Sequence, residues 1–257
     1  MLKERIKNKE KLIGMYIQLS DINISRIAAL AGYDYVWVDT EHSFISFEDV
    51  LKHILVLKTT NTPVIVRLPK DDLTATKRIL EMGVDGVIFP MVTSAEEANR
   101  VIRSTMYPPY GDRGFGPVQA IDFGLKDVNE YIKNNHNELC RFIQIEHKDT
   151  LAELDTIMEN EYIDGYIFGA NDLSGSYNKL GEAFSEPITQ IIKDTVKRLH
   201  DKGKYVGIAS GGYSDEVVKH WCSFDVEMIT AGADFEFLRD GAIRNRINLE
   251  KIHKNIG

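Results

Sequence analysis

The feature that most limits how this chain can fold is an alternation that runs along most of its length. Short runs rich in β-branched and aromatic residues take turns with longer stretches of helical periodicity. Leu12 to Leu19 reads as a first strand, followed by a helix from Ile24 to Ala31 that ends at Gly32. Tyr35 to Glu41, Val64 to Leu68 and Gly86 to Val92 are the next three strands. The helices between them run from Phe47 to about Thr60 and from Leu73 to Met82, with Gly83 as a C-cap. Cys140 to Glu146, Gly165 to Phe168, Tyr205 to Ala209 and Met228 to Ala231 complete eight strands. Helices follow them at Thr150 to about Asn160, Pro187 to Lys202, Ser214 to His220 and Phe235 to about Lys254. Eight strand–helix units with no linker-like gap predict a closed parallel (β/α)8 barrel, the TIM barrel, as a single domain over 1–257. The structural rival, a doubly wound open sheet, lacks its Gly-rich phosphate fingerprint after the first strand.

Two local signals stand out. Ser94 precedes a helix and Glu97 follows three residues later, the pattern in which hydroxyl and carboxylate each satisfy an unpaired amide. Tyr107 to Gly124 breaks the alternation with Gly and Pro, and a long irregular segment inside a compact domain is usually functional. Its start, Tyr107-Pro108-Pro109-Tyr110-Gly111-Asp112-Arg113-Gly114, reads as a shaped loop over the barrel mouth. Arg113 in it either meets a substrate carboxylate or pins the loop to the barrel, and pinning is the favoured role.

Composition excludes several classes of function. Apolar residues make up 43% and charged residues 27% of the chain, which is ordinary for a soluble globular protein. The net charge is −8 with scattered basic residues, which disfavours nucleic-acid binding and gives no patch for a membrane surface. The charged N-terminus has no signal-peptide core, and no run approaches the roughly 20 apolar residues that span a bilayer. Cys140 and Cys222 fit neither a metal-ligand spacing nor a disulfide framework, so a reducing cytoplasm is the simplest compartment.

A parallel barrel carries its active site at the C-terminal ends of its strands. There this chain has Asp39-Thr40-Glu41-His42, Arg67, Gln144-Ile145-Glu146 and Gly169-Ala170-Asn171-Asp172. Glu146 and Asp172 are the metal candidates, because two carboxylates held together repel until a cation relieves them, and a divalent ion keeps its other positions for water and substrate. The plainer role for each is helix capping or a lysine pair. His42 is the proton-transfer candidate, with Glu81 as an orienting partner. The other six histidines read as structural or exposed. Arg67 is placed to stabilise negative charge developing on an oxygen, or to pair with Asp39 or Glu41, and the two roles are compatible.

These residues resemble the HpcH/HpaI aldolases, class II pyruvate aldolases of the phosphoenolpyruvate/pyruvate barrel superfamily, from about Gly32 to the C-terminus. The resemblance rests on Gly32-Tyr33-Asp34 leading to Asp39-Thr40-Glu41-His42, on the Tyr107–Gly114 stretch, on Gln144-Ile145-Glu146, and on Gly169 through Ser174. It implies a Mg²⁺, Mn²⁺ or Co²⁺ ion on Glu146 and Asp172, chelated by a small-molecule 2-oxo acid. Gln144 would lie beside the ion, and backbone amides around Asn171 and Asp172 would hold the substrate carboxylate. Arg67 would stabilise the enolate, and His42 would move the proton, directly or through a bound water. It also implies a homo-oligomer, commonly a hexamer, in which the final helix (235–254) packs on a neighbouring subunit. The activity expected is reversible cleavage of a 4-hydroxy-2-oxo acid to pyruvate and an aldehyde. The alternatives are acyl-CoA ester lyase or 2-oxo acid decarboxylase chemistry in the same superfamily, or a non-catalytic carboxylate-binding barrel. Glu81 stands where the family has aspartate, and the segment after Gly116 departs from the family pattern.

Overall fold

The alternation resolves into eight parallel strands hydrogen-bonded in chain order, the last closing on the first. The structure is a computed structural model and describes residues 1–254. The wall consists of β1 (Leu12–Ile17), β2 (Tyr35–Asp39), β3 (Val64–Arg67), β4 (Gly86–Phe89), β5 (Cys140–Ile145), β6 (Gly165–Gly169), β7 (Val206–Ala209) and β8 (Met228–Ala233). A short helix, α1 (Leu2–Lys7), precedes the wall, and α2 (Ile22–Ala31), α3 (Phe47–Lys58), α4 (Leu73–Glu81) and α5 (Ala95–Arg103) surround its first half. Around the second half lie α6 (Val128–Glu138), α7 (Lys148–Ala152), α8 (Leu154–Ile157), α9 (Ala170–Ser176), α10 (Glu186–Asp201), α11 (Asp215–Cys222) and α12 (Asp234–Lys254). Closure rules out the open-sheet alternative.

Strand pleating divides the core in two, because successive side chains point to opposite faces. Val36, Val38, Val64, Val66 and Ile143 face outward and pack with Ile54, Leu57, Ile79 and Val101 of the helices. Their neighbours Tyr35, Trp37, Ile65, Ile88, Phe142 and Ile167 face the barrel axis and form a second cluster. Space inside is shared between large and small partners. Gly14 lies in register with Tyr35, and Gly165 with Phe142, so each ring fills the room a glycine leaves. The Tyr35 hydroxyl bonds Thr230 Oγ1 at 2.6 Å inside the same layer.

Three features depart from the expectations drawn from sequence. α1 is an unforeseen plug: Leu2 and Ile6 are buried in the inward cluster at the N-terminal end of the barrel. Lys3 secures it, with Nζ donating to Leu139 O at 2.9 Å and Asp164 Oδ2 at 2.8 Å. The expected helix over Thr150–Asn160 is broken into α7 and α8. The irregular segment contains a 3-10 turn (Gln119–Gly124) and is followed by α6. The Ser94 cap is present, accepting from Glu97 N at 3.1 Å, but the Glu97 carboxylate returns to Thr93 N at 2.8 Å, one residue earlier than a capping box requires. The expected final helix is present as α12, and every residue of it from Gly241 to Leu249 is exposed. Among the described residues no helix is long and apolar enough to cross a membrane.

A methyl group added at Gly14 would collide with the Tyr35 ring. Gly14→Ala should therefore destabilise the barrel by about 1–3 kcal/mol, the usual cost of overpacking a filled core. The urea unfolding midpoint reads this directly, and an unchanged midpoint would mean that the inward layer has slack.

Candidate active site

The pleat that puts Tyr35 and Trp37 in the core carries Asp39 inward at the C-terminal end of β2, and the same parity brings Arg67 inward on β3. These two residues are in register, and they form a two-pronged ion pair: Arg67 Nε donates to Asp39 Oδ1 at 3.0 Å and Nη2 to Oδ2 at 2.6 Å. Gln18 Nε2 adds a bond to Asp39 Oδ2 at 2.8 Å, and the amides of Glu41 and His42 donate to Oδ1. Burial alone would raise the Asp39 carboxyl, yet this donor set holds it below its usual value. Glu41 stands 3.4 Å from Arg67 Nε, and burial pushes its carboxyl up. The pairing of Arg67 with Asp39 is thus present, and Arg67 also lines the adjoining cavity with Nη1 making no hydrogen bond.

Two steps of inward parity beyond Phe142 on β5 lead to Gln144 and then to Glu146, just past the strand end. Both are buried and poorly satisfied. Glu146 accepts one bond, from Met91 N to Oε1 at 2.6 Å, and Gln144 Oε1 has no partner. Burial raises the Glu146 carboxyl to about 8, with Asp172 and Glu41 adding to the shift and the Met91 amide and Arg67 opposing it. Gly169, the last residue of β6, makes room for this pair: a Cβ there would lie 2.5 Å from Glu146 Oε2 and 2.9 Å from Gln144 Nε2. Immediately after Gly169, α9 starts with no side-chain cap, and its first turn carries Asn171 and Asp172. Asp172 is exposed, and its charge acts on both Glu146 and Glu41.

Gln144, Gly169, Asn171, Asp172 and Arg67 line one cavity of about 240 Å³ at this end of the barrel. The remaining candidates are placed differently. His42 is exposed at the rim, with Nε2 3.8 Å from Glu41 Oε2. Within one copy of the chain its neighbour is Glu41 and not Glu81, which corrects the expected dyad. Glu81 closes α4 on the side where β4 begins, and it accepts from Arg113 Nη2 at 2.8 Å. Arg113 is correspondingly no ligand for a substrate in this cavity. It is buried, lies 4.6 Å from the centre of the Tyr107 ring, and borders a hollow of about 760 Å³ among the starts of β3, β4 and β5. The pinning role is what its contacts describe. The loop from Tyr107 to Gly114 likewise packs on the C-terminal end of α5, through Asp112 N to Arg103 O and Arg113 N to Met106 O. It follows a helix, so it lies at the opposite end of the barrel from the mouth.

Sequence inspection passed over Tyr16, Gln18 and Glu236, which line the same cavity. Tyr16 and Gln18 continue the inward parity of Leu12 and Gly14, and that signal would have found them. Glu236 follows β8 and accepts from Ala233 N at 2.9 Å.

Gly169→Ala should displace the Glu146 carboxylate and weaken Mn²⁺ binding about tenfold or more, the scale seen when the support of a ligand is disturbed. Titration calorimetry measures this, and unchanged affinity would separate Glu146 from any cation. Glu146 also has a pH signature. It keeps its proton to about pH 8 in the folded chain, against an ordinary value of 4.5, so the unfolded state binds fewer protons between these values. Stability in chelator should therefore fall as pH rises through that window, and Glu146→Gln should flatten the fall. Equal slopes in both proteins would locate the effect elsewhere.

Comparison with known proteins agrees with this geometry. Residues 12–215 match the model of the HpcH/HpaI aldolase/citrate lyase family. The 2-keto-3-deoxy-L-rhamnonate aldolase of Escherichia coli O9:H4 (strain HS) is 28% identical over 253 residues, covering 98% of this chain and 94% of that protein. The crystal structure of an HpcH/HpaI aldolase from Desulfitobacterium hafniense DCB-2 superposes with a TM-score of 0.90 at 25% identity, covering 98% of this chain and 97% of that one. The citrate lyase beta subunit of M. tuberculosis, complexed with oxaloacetate and magnesium, shares the fold alone, with a TM-score of 0.55 at 13% identity over 88% of this chain and 93% of that one. With most of its length inside the family match and its strand-end residues gathered at one mouth, the chain belongs to the HpcH/HpaI aldolase/citrate lyase family.

Proposed function

We propose that this protein is a divalent-metal-dependent aldolase that cleaves 4-hydroxy-2-oxo acids to pyruvate and an aldehyde, reversibly. The observation that carries the reading is the buried, under-satisfied pair of Glu146 and Gln144 beside Asp172, facing a cavity whose other wall is Arg67. A buried carboxylate with one hydrogen bond and a neighbouring orphan amide oxygen lack a cation. All the donors are oxygens, which suits Mg²⁺ or Mn²⁺. Among the described residues no three His, Cys, Asp or Glu side chains form a ready-made cluster, so the donor set is two carboxylates with Gln144 alongside. Glu146 and Asp172 would hold the ion, which supplies a Lewis acid that draws charge onto the 2-oxo oxygen.

The protein's own groups account for the rest. Cleavage breaks the C3–C4 bond of the substrate. Its electron pair stays on C3, delocalised onto the 2-oxo oxygen, and the 4-hydroxyl loses its proton to become the aldehyde. Asp39 fixes the Arg67 guanidinium through two nitrogens, so its free Nη1 can meet the developing enolate oxygen without reorganising. The uncapped amides that open α9 suit the substrate carboxylate. His42 at the rim, beside Glu41, takes the hydroxyl proton, and C3 is protonated to give pyruvate. No lysine is required. The assembly is read as a homo-oligomer, hexameric by family resemblance, with α12 crossing to another copy. Its exposed Ile243, Ile247 and Ile252 support that arrangement.

Pyruvate release from a panel of 4-hydroxy-2-oxo acids should require added Mg²⁺, Mn²⁺ or Co²⁺ and vanish in Asp172→Asn. Arg67→Lys should lose about 10² in kcat with little change in KM, as removal of an oxyanion donor does. Full turnover of the wild-type protein in chelator would refute the reading.

A further inference from the structure

The mouth also carries information about the aldehyde half of the substrate, and this step rests on the aldolase reading above. The ionisable groups around the cavity are unbalanced. Asp39, Glu41, Glu146, Asp172 and Glu236 are five carboxylates in or beside it. Among the described residues that line it, Arg67 is the one cation, and Asp39 already occupies its Nε and Nη2. A divalent ion with Arg67 would bring three positive charges against these five carboxylates and the substrate's own carboxylate. Nearby cations do not redress this. Lys70 and Lys148 follow β3 and β5 but are exposed and line none of the cavity. Arg239 stands 4.0 Å behind Glu236, with its Nε held by Asp240. A second anionic group on the substrate would enter a negative field with no unoccupied partner.

The uncharged surface is specific as well. Ala209, Gly212, Ala233 and Phe235 give small, apolar walls from β7 and β8. Between them stand polar atoms with nothing to bind. The Tyr16 hydroxyl makes no hydrogen bond, the Asn171 amide makes none, and Gln18 uses its Nε2 while Oε1 is left over. Such groups recognise hydroxyls.

We infer that the aldehyde released here is a short, neutral, hydroxylated aldehyde, and that the mouth rejects aldehydes bearing a carboxylate or phosphate. Glu236 imposes the rejection, and Tyr16 and Asn171 read the hydroxyl.

The test uses three 4-hydroxy-2-oxo acids of matched length whose distal ends carry a hydroxyl, a methyl or a carboxylate. Deuterium exchange into the methyl group of pyruvate runs in parallel on the same Mn²⁺-loaded full-length protein. The kcat/KM should be highest for the hydroxyl end and about tenfold or more lower for the carboxylate end. Calorimetric affinities of the uncleavable analogues lacking the 4-hydroxyl should follow the same order. Glu236→Gln keeps an oxygen for the Ala233 amide and should raise kcat/KM for the carboxylate substrate about threefold or more through KM. A merely structural role would lower all three substrates alike. Equal or better use of the carboxylate substrate by the wild-type protein, with pyruvate exchange intact, overturns this inference and leaves the aldolase reading standing. Absence of both exchange and cleavage overturns the two together.

Discussion

One geometric constraint governs this molecule: in a closed barrel only alternate residues of each strand can face the axis. Everything of chemical interest hangs on that parity. It stacks Tyr35, Trp37, Ile65 and Phe142 into a sealed interior. Carried one or two steps further along the same strands, it delivers Asp39, Arg67, Gln144 and Glu146 to a single opening. A one-residue slip would exchange a charged mouth for valines and drive carboxylates into the helical shell. The filled interior therefore sets the register of the site. The Asp39–Arg67 pair is the most direct expression of it, since two residues opposed in the ladder become partners with almost no freedom to do otherwise.

Burial of charge is tolerated here in two opposite ways. Asp39 is surrounded by donors and stays ionised, which makes it a fixed clamp. Glu146 has a single amide donor and its carboxyl rises to about 8, which makes it a group awaiting a counter-charge. Side chains of the same chemistry in one cavity thus take different duties because their hydrogen-bond shells differ.

Much of this was legible in the residues themselves. Strand number, strand order and the gathering of Arg67, Gln144, Glu146 and Asp172 follow from period-two runs ending in polar groups, because both the pleat and the mouth depend on local pattern. What sequence obscured depends on long-range geometry. Glu81 and Arg113 are 32 residues apart and meet only because α4 and the loop after α5 end on the same side of the barrel. Proline and glycine gave the Tyr107–Gly114 stretch the composition of a lid, while its place after a helix consigned it to the other end. The plug formed by α1 was hidden for a different reason. Its six residues are mostly charged, and Leu2 with Ile6 is too brief an apolar pair to announce a buried helix.

The closure of β8 on β1 has a consequence for how the protein comes to life. Clamp and proton carrier, Asp39, Arg67 and His42, belong to the first four strands, and the cation-holding side chains Gln144, Glu146 and Asp172 belong to the last four. Neither half of the chain contains a working centre. During synthesis the early strands wait, with their inner faces unsealed, for residues more than two hundred positions downstream. Such dependence on distant pairing slows folding and leaves a truncated product without a metal site. Competence arrives at a single moment, when the ring shuts.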